Sequence, residues 1–464
     1  VDSRPLQFIV EACAGKLISG ELAATVLRVN TDSRQAQAGD LFVALAGERF
    51  DGHEFVPAVA AQGAVAVLVN RGRTWPALPC AVIEVADTRR ALGEIAAAYR
   101  RSLALPVIAV GGSNGKTSTK EMLGAVLSQG LKTVWSEASF NNDIGVPHTL
   151  LRIGAEHQAA VLELGTNHPG ELAPLIRMAQ PSLGVITSIG REHLEFFGDL
   201  NGVVREEGML AELLPANGAL FLNGDNEFAT KLVARTVARA VRVGFNEAND
   251  WRVTRIFPSQ EGTLFRVTAP RADYSGEYRI TLLGRHQVAN ALFAIAVAAE
   301  LGLTREHIQT GLAACVPAKM RLQLYELNGV RVLDDSYNAN ADSMIAALET
   351  LAEFPAKGRK LAVLGDMAEL GTASDAAHQE VGRRAAELQV GQLFAVGRNA
   401  PLMAAAARAA GLNRVMEFPN AEAAAGALRS VLKPGDVLLL KASRSSRIER
   451  VAEILRGSES ARKN

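Results

Sequence analysis

Excess charge of either sign is missing from this chain. Lys plus Arg number 49 and Asp plus Glu number 49, a formal net charge of zero. That excludes a nucleic-acid binder carried by bulk positive charge, and an acidic tail protein with it. Cysteine is scarce: Cys13, Cys80 and Cys315 stand far apart with no CxxC. They read as small buried hydrophobes of a reducing cytoplasm, not as disulfides or zinc ligands. Long apolar runs are lacking too. The best, 58–69 and 289–299, carry a Gln or an Asn and stop short of the roughly 18 residues that read as a membrane-crossing helix. The opening Val1-Asp2-Ser3-Arg4-Pro5 has no basic stretch leading into an apolar one, so no signal peptide is expected there. Short repeats and low-complexity linkers are absent. A cytoplasmic protein with no nucleic-acid partner and no membrane insertion is expected.

What is present is an ordinary globular composition, 48% hydrophobic and 21% charged over 464 residues. At roughly 150 residues per domain that length suggests about three domains. The first hundred residues mix short apolar runs (41–45, 65–69, 81–85) with an alanine-rich helical stretch at 91–99. After Leu105-Pro106 the pattern becomes strand, glycine turn, helix: 107–110, 111–115, 117–129. That is the opening unit of a parallel α/β domain. Buried strands are expected at 160–164, 184–189, 219–223 and 240–244. Alternation at 263–267 and 278–282 suggests appended antiparallel strands, and a long helix at 287–301 follows. From 330 the rhythm resumes, with strands at 330–334, 360–365, 393–397, 414–418 and 437–440, as in a doubly wound, Rossmann-like sheet. The fold class is α/β with domains 1–104, 105–318 and 319–464, the middle one a P-loop parallel-sheet domain.

The glycine turn reads Gly112-Ser113-Asn114-Gly115-Lys116-Thr117-Ser118. Glycines let backbone N–H groups turn toward a phosphate chain, and the helix N-terminus adds partial positive charge. Lys116 would reach the β- and γ-phosphates and the Thr117 hydroxyl would bind Mg²⁺. Val110 stands where the full eight-residue pattern has glycine, so this is a shortened form; the plain alternative is an ordinary turn of a βα unit. Glu163 ends an apolar run at a strand's C-terminal end, where α/β sheets place ligands. Alone it reads equally as a salt-bridged Glu; beside a phosphate loop it reads as an Mg²⁺ ligand. His193, in Gly190-Arg191-Glu192-His193-Leu194-Glu195, follows the next strand and emerges on the same edge.

With these pieces assembled, the chain resembles the Mur ligase family of ATP-dependent amide-forming enzymes over essentially all its length. The family's nucleotide loop matches 112–119, with Gly111 in place of the usual Thr, and its metal-binding Glu and His match Glu163 and His193. Its adenine-contacting Asn matches Asn290. Two further nucleotide residues match Arg321, although Met320 replaces the usual Gly, and Asp335. Three segments point to the branch that joins D-alanyl-D-alanine to UDP-N-acetylmuramoyl-tripeptide. These are Thr31-Asp32-Ser33-Arg34 with the string from Gly47-Glu48-Arg49 to His53, Asn141-Asn142-Asp143-Ile144-Gly145, and Asp334-Asp335-Ser336-Tyr337-Asn338-Ala339-Asn340 with Gly365-Asp366-Met367-Ala368-Glu369-Leu370-Gly371. The Asp-Asn-Pro-Arg of the neighbouring ligase that adds the third residue does not occur. Folate polyglutamate ligases share the fold but not the Thr-Asp-Ser-Arg first domain.

The resemblance implies ATP and Mg²⁺ as cofactors and an acyl-phosphate intermediate formed on a monomeric enzyme. Asp32, Ser33 and Arg34 would contact the UDP moiety. Asn141 and Asn142 would hold the sugar–peptide, and Tyr337, Asn338 and Asn340 the incoming dipeptide; turn-making is the other reading of these asparagines. The family's carbamylated Lys, in Lys-Gly-Glu, falls on Glu207 when Gly208 is set on the family's Gly. Glu207 is therefore expected to supply the anionic group directly, acting with Lys116, Glu163 and His193. The alternative is that Glu206 and Glu207 form a solvated helix face.

Overall fold

The computed structural model describes residues 2–47 and 50–460. Its framework is three sheets in chain order, each α/β. The first has the order Lys16–Ser19, Ala81–Val85, Ala66–Asn70, Asp40–Val43, Arg28–Asn30, parallel except at Lys16–Ser19. The central sheet runs Thr133–Trp135, Ala159–Glu163, Val107–Gly111, Leu183–Ile186, Ala219–Asn223, Arg239–Gly244, Trp251–Ser259, all parallel, and ends in the antiparallel strands Gly262–Thr268 and Gly276–Ile280. The third has the order Gln323–Leu327, Val330–Asp334, Val437–Lys441, Lys360–Leu364, Gln392–Val396, Val415–Phe418, parallel beyond an edge hairpin.

The expected strands are present within a few residues of their sequence positions. Sequence reading passed over Thr133–Trp135 and Gln323–Leu327. The first is three residues long, too short for a periodic signal. In the second, Gln323 and Glu326 interrupt the apolar run at a sheet edge, where side chains need not be apolar.

The sheets place the ligand-binding edges. Parallel strands aim their C-terminal ends one way, and Gly111, Glu163 and the residues after Ile186 all lie at that end of the central sheet. Behind them the helix Arg285–Glu300, buried nearly all round, packs on Lys116–Leu127. This buried, largely apolar helix seats the phosphate-loop helix.

The two interdomain contacts differ in kind. The helix Thr88–Arg101 shares one apolar core with the central domain, joining Ile95 and Tyr99 to Leu175 and Ile176. Tyr99 Oη donates to Ile153 O at 2.5 Å, and the Arg100 guanidinium donates to the Ala179 and Gln180 carbonyls at 2.8 and 3.0 Å. The third domain meets the central one largely through polar side chains, described below. The first domain is thus fused to the centre, whereas the third is docked.

Leu292 is fully buried in the helix that seats the phosphate loop. Leu292→Ala should cost about 2–5 kcal/mol, read as a lowered urea midpoint with an unchanged slope; a loss under about 0.5 kcal/mol would remove that helix from the load path.

Candidate active site

The phosphate loop takes its shape from two glycines. Gly112 and Gly115 have φ of +108° and +90°, a region closed to most side chains. A Cβ on Gly112 would come within 2.6 Å of Thr187 Oγ1, and one on Gly115 within 2.5 Å of Asn290 Oδ1. The loop is held from outside by Ser113 N to Ser188 O (2.8 Å), Asn114 N to Ser188 Oγ (3.0 Å) and Thr187 Oγ1 to Asn114 O (2.6 Å). Lys116 opens the helix Lys116–Leu127. Its Nζ donates to Gly112 O at 2.5 Å and lies 3.4 Å from Glu192 Oε2. Burial works against the Lys116 charge, but Glu192, Glu207 and Glu163 more than offset this and its pKa is raised.

Glu163 is buried at the end of its strand. Its Oε1 accepts from Thr117 Oγ1 at 3.2 Å and from Asn141 Nδ2 at 2.9 Å, while Oε2 has no partner. Glu192 Oε1 is likewise buried without one. Desolvated carboxylate oxygens left open beside a phosphate loop are costly unless a cation completes them. Among the described residues no three His, Cys, Asp or Glu side chains form a ready-made metal cage. The donor set suits Mg²⁺, which takes one or two protein ligands and completes its octahedron with phosphate and water.

These groups face one cavity of about 1220 Å³, and side chains of all three domains line it. Ser113–Ser118 form its floor, with Asn290, Glu163 and His193 on the central-domain walls. Asn141 and Asn142 close one side. Asn142 spends its side chain on the turn, its Oδ1 accepting from Ile144 N and Gly145 N at 3.2 and 2.9 Å. The turn-making reading therefore holds for Asn142, while Asn141 reaches Glu163. Asp143 makes a two-pronged ion pair with Arg89 of the first domain, at 2.5 and 2.6 Å.

The third domain contributes Arg321, Asp335, Tyr337, Asn338 and Asn340. Arg321 lies over the Tyr337 ring, 4.1 Å from its centroid. Asn340 caps the helix Ala341–Glu353 and donates to Asn114 Oδ1 at 3.0 Å, touching the phosphate loop across the domain boundary. Lys441 Nζ bonds Asp335 Oδ2 at 2.5 Å and Asn338 O at 3.0 Å. Burial lowers the Lys441 pKa and pushes the neighbouring His286 down to about 4.

The readings of residues 206 and 207 need correction. Glu206 and Glu207 are not a solvated face; both are buried. Glu206 accepts from Gly170 N and Leu172 N, both at 2.8 Å, and so secures the start of the helix Leu172–Ala179. Glu207 does not line the cavity: its Oε2 accepts from Gly112 N at 2.6 Å, behind the loop. The shorter Glu side chain stops at the loop backbone, so it braces the loop instead of facing the cleft. Asn290 packs against the phosphate loop at Gly115. Finally, Asp32, Ser33 and Arg34 lie outside this cavity, on a turn where Asp32 accepts from Arg34 N, Nε and Nη2 at 3.1, 2.8 and 2.8 Å. Arg34 thereby holds Asp32 down at about 2. Glu48 and Arg49 fall outside the described residues.

Sequence reasoning missed Arg89, Glu192, Asp342, Glu369 and Lys441. Glu192 was signalled by its place beside His193, and Lys441 by a strand ending in a charge; the others declare themselves only through contacts between domains.

A P-loop domain set between two α/β domains that face its phosphate site defines a nucleotide-dependent ligase architecture. Family models agree along the chain: the Mur ligase family catalytic domain matches 25–100, the Mur ligase middle domain 110–298, and the Mur ligase glutamate ligase domain 320–444. The chain belongs to the Mur ligase family. The UDP-N-acetylmuramoyl-tripeptide–D-alanyl-D-alanine ligase of Escherichia coli strain K12 is 39% identical over 449 residues, 95% of this chain and 96% of that one. The ligase of the same name from Bacillus subtilis strain 168 is 34% identical, covering 97% and 98%. A crystal structure of MurF from Acinetobacter baumannii superposes with a TM-score of 0.88 at 33% identity, over 98% of this chain and 99% of that one. A Thermotoga maritima MurF ligase solved in complex with ADP gives 0.82 at 27%, covering 94% and 98%.

Burial and the Glu192 carboxylate push Glu207 up to about 8. The folded chain therefore holds this proton more tightly than the unfolded one, and the stability the group contributes is lost as pH rises from the ordinary carboxylate range toward that value. Glu207→Gln removes the slope. Its melting temperature relative to the native chain should rise between about pH 5 and pH 8; a difference constant across that range would contradict the assignment.

Proposed function

We propose that this chain is an ATP-dependent amide ligase that joins D-alanyl-D-alanine to UDP-N-acetylmuramoyl-tripeptide in cytoplasmic peptidoglycan precursor synthesis. The observation that carries the reading is the single cavity in which the phosphate loop, Glu163 and His193 of the centre meet Tyr337, Asn338 and Asn340 of the third domain. Similarity over nearly the full length to ligases of that name supports it. We take the domains as 1–104 for the UDP-bearing substrate, 105–318 for ATP and 319–464 for the dipeptide, acting as a monomer.

A carboxylate is a poor acyl donor. An oxygen of the tripeptide's terminal carboxylate attacks the γ-phosphorus, the bond to the β,γ-bridging oxygen breaks, and ADP leaves with that electron pair. The amine of D-alanyl-D-alanine then attacks the acyl-phosphate carbonyl, loses a proton to solvent, and inorganic phosphate departs. In the first step two anions approach. At 4 Å their repulsion is about 4 kcal/mol at an effective dielectric of 20, so cationic groups must already be in place.

Lys116 supplies one charge, released from Gly112 O and Glu192 onto the β- and γ-phosphates. One Mg²⁺ held by Thr117 and Glu163, and a second held by His193, would supply the rest, neutralising phosphate oxygens as Lewis acids. Loop amides of 115–118 would hold the phosphate chain, with Gly112 N committed to Glu207 and the amides of Ser113 and Asn114 committed to Ser188. Asn290 buttresses Gly115, and Arg321 and Asp335 complete the nucleotide site. Asn141 orients Glu163, and the enclosing third domain excludes water that would hydrolyse the acyl phosphate. Asp32, Ser33 and Arg34 remain our choice for the uridine end, which lies away from the reacting carboxylate.

Phosphate release from ATP should require both UDP-N-acetylmuramoyl-tripeptide and D-alanyl-D-alanine. Release without the dipeptide, or equal use of a single amino acid, would refute this branch of the family. Lys116→Ala should lower kcat by far more than tenfold with an unchanged circular dichroism spectrum; activity within tenfold, about 1.4 kcal/mol, would remove Lys116 from the mechanism.

A further inference from the structure

The loop 190–195 is gripped from both sides. On its inner side Gly190 N donates to Ser113 Oγ at 2.8 Å, and Glu192 pairs with Lys116. It therefore touches the phosphate loop at two points. On its outer side it meets polar groups of the third domain. Arg191 gives its backbone N–H to Asp342 Oδ2 at 2.7 Å and its Nε and Nη2 to Asp342 Oδ1 at 2.9 and 2.6 Å, and it also pairs with Glu380. His193 Nδ1 bonds the Glu369 carboxylate, and Glu195 N donates to Glu369 O at 3.0 Å. Gly371 packs so closely that a Cβ there would sit 3.1 Å from Glu195 Cα.

The backbone at the junction is strained on both sides. His193 and Glu369 have φ of +46° and +61°, the left-handed region that costs a non-glycine residue free energy and persists where contacts over-determine it. An imidazole that gives Nδ1–H to a carboxylate has its tautomer and ring plane fixed, with the Nε2 lone pair left for a ligand. Here the carboxylate comes from a different domain than the imidazole. The Nδ1 partner of His193 is therefore present only while the third domain is docked.

We infer that Glu369 is a positioning residue: on docking of the third domain it fixes His193 through Nδ1 so that Nε2 faces the metal–phosphate group. The domain that carries the dipeptide residues thus completes the centre that activates the carboxylate, which ties acyl-phosphate formation to the presence of its acceptor domain. The inference rests on the reading of His193 as a metal ligand, and the experiment separates the two.

Mn²⁺ bound beyond the first equivalent is followed by electron paramagnetic resonance, on the full chain with a non-hydrolysable ATP analogue. Glu369→Ala should raise the Mn²⁺ concentration for half-occupancy of that second ion tenfold or more, with the KM for ATP within about threefold of native. Glu369→Gln keeps an acceptor oxygen and should rescue binding to within about threefold. Glu369→Gly suits the left-handed backbone and serves as the second truncation should the Ala variant fold poorly. Truncations that bind the second Mn²⁺ within twofold of native overturn the inference, as does a Gln variant as weak as the truncations. His193→Ala is the control. If it loses the second ion while the Glu369 truncations keep it, only the positioning role falls; if it binds as native, the metal reading of His193 falls and the inference with it.

Discussion

The arrangement of this cleft follows from one electrostatic problem, the meeting of a carboxylate and a polyphosphate. The chain brings a single buried lysine, Lys116, into the company of Glu163, Glu192 and Glu207. Three carboxylates around one ammonium leave a deficit of positive charge, and one oxygen on each of Glu163, Glu192 and Glu207 is buried without a hydrogen-bond partner. The deficit is met in part by a proton, since Glu207 is held at about 8. In the proposed function a divalent cation would offset the rest, together with the charge of the incoming phosphates.

The same balance explains why the domains are joined differently. In the proposed function the first domain would carry the long, inert part of the substrate, and the apolar core it shares with the centre fixes that domain at a constant distance. The third would bring the nucleophile and the groups that shield the intermediate from water, and would have to release product. A polar contact built on Arg191, Asp342, Glu380 and Glu369 can be broken and remade more readily than an apolar core, because its charges are only partly buried and water can take over their hydrogen bonds. Asn340 and Asn114 extend that contact to the phosphate loop itself.

Much of this was legible in the sequence where a residue's role is local. The phosphate loop, Glu163 and His193 could be read because strand, turn and helix periodicities bracket them and because a charged residue at the end of an apolar strand is conspicuous. The nine-stranded and six-stranded sheets followed from alternating apolar runs, with short or polar edge strands such as Thr133–Trp135 escaping notice. Glu207 was found through the family resemblance, by setting Gly208 on the family's glycine, but its direction was not: the sequence carries no sign that the Gly112 amide would claim its carboxylate. Glu369 and Asp342 were invisible for a related reason. Their partners are 176 and 151 residues away, and nothing in a local pattern announces a contact made only when two domains dock.

The central claim is that the tripeptide's own carboxylate attacks ATP, and isotope transfer tests it most directly. UDP-N-acetylmuramoyl-tripeptide labelled with ¹⁸O in both oxygens of its terminal carboxylate is turned over with ATP and D-alanyl-D-alanine, and the released phosphate is analysed by mass spectrometry. An acyl phosphate carries one carboxylate oxygen away with its phosphorus, so the account predicts one ¹⁸O in each phosphate and one left in the new amide. Unlabelled phosphate, with both heavy atoms still in the peptide or lost to water, would contradict it.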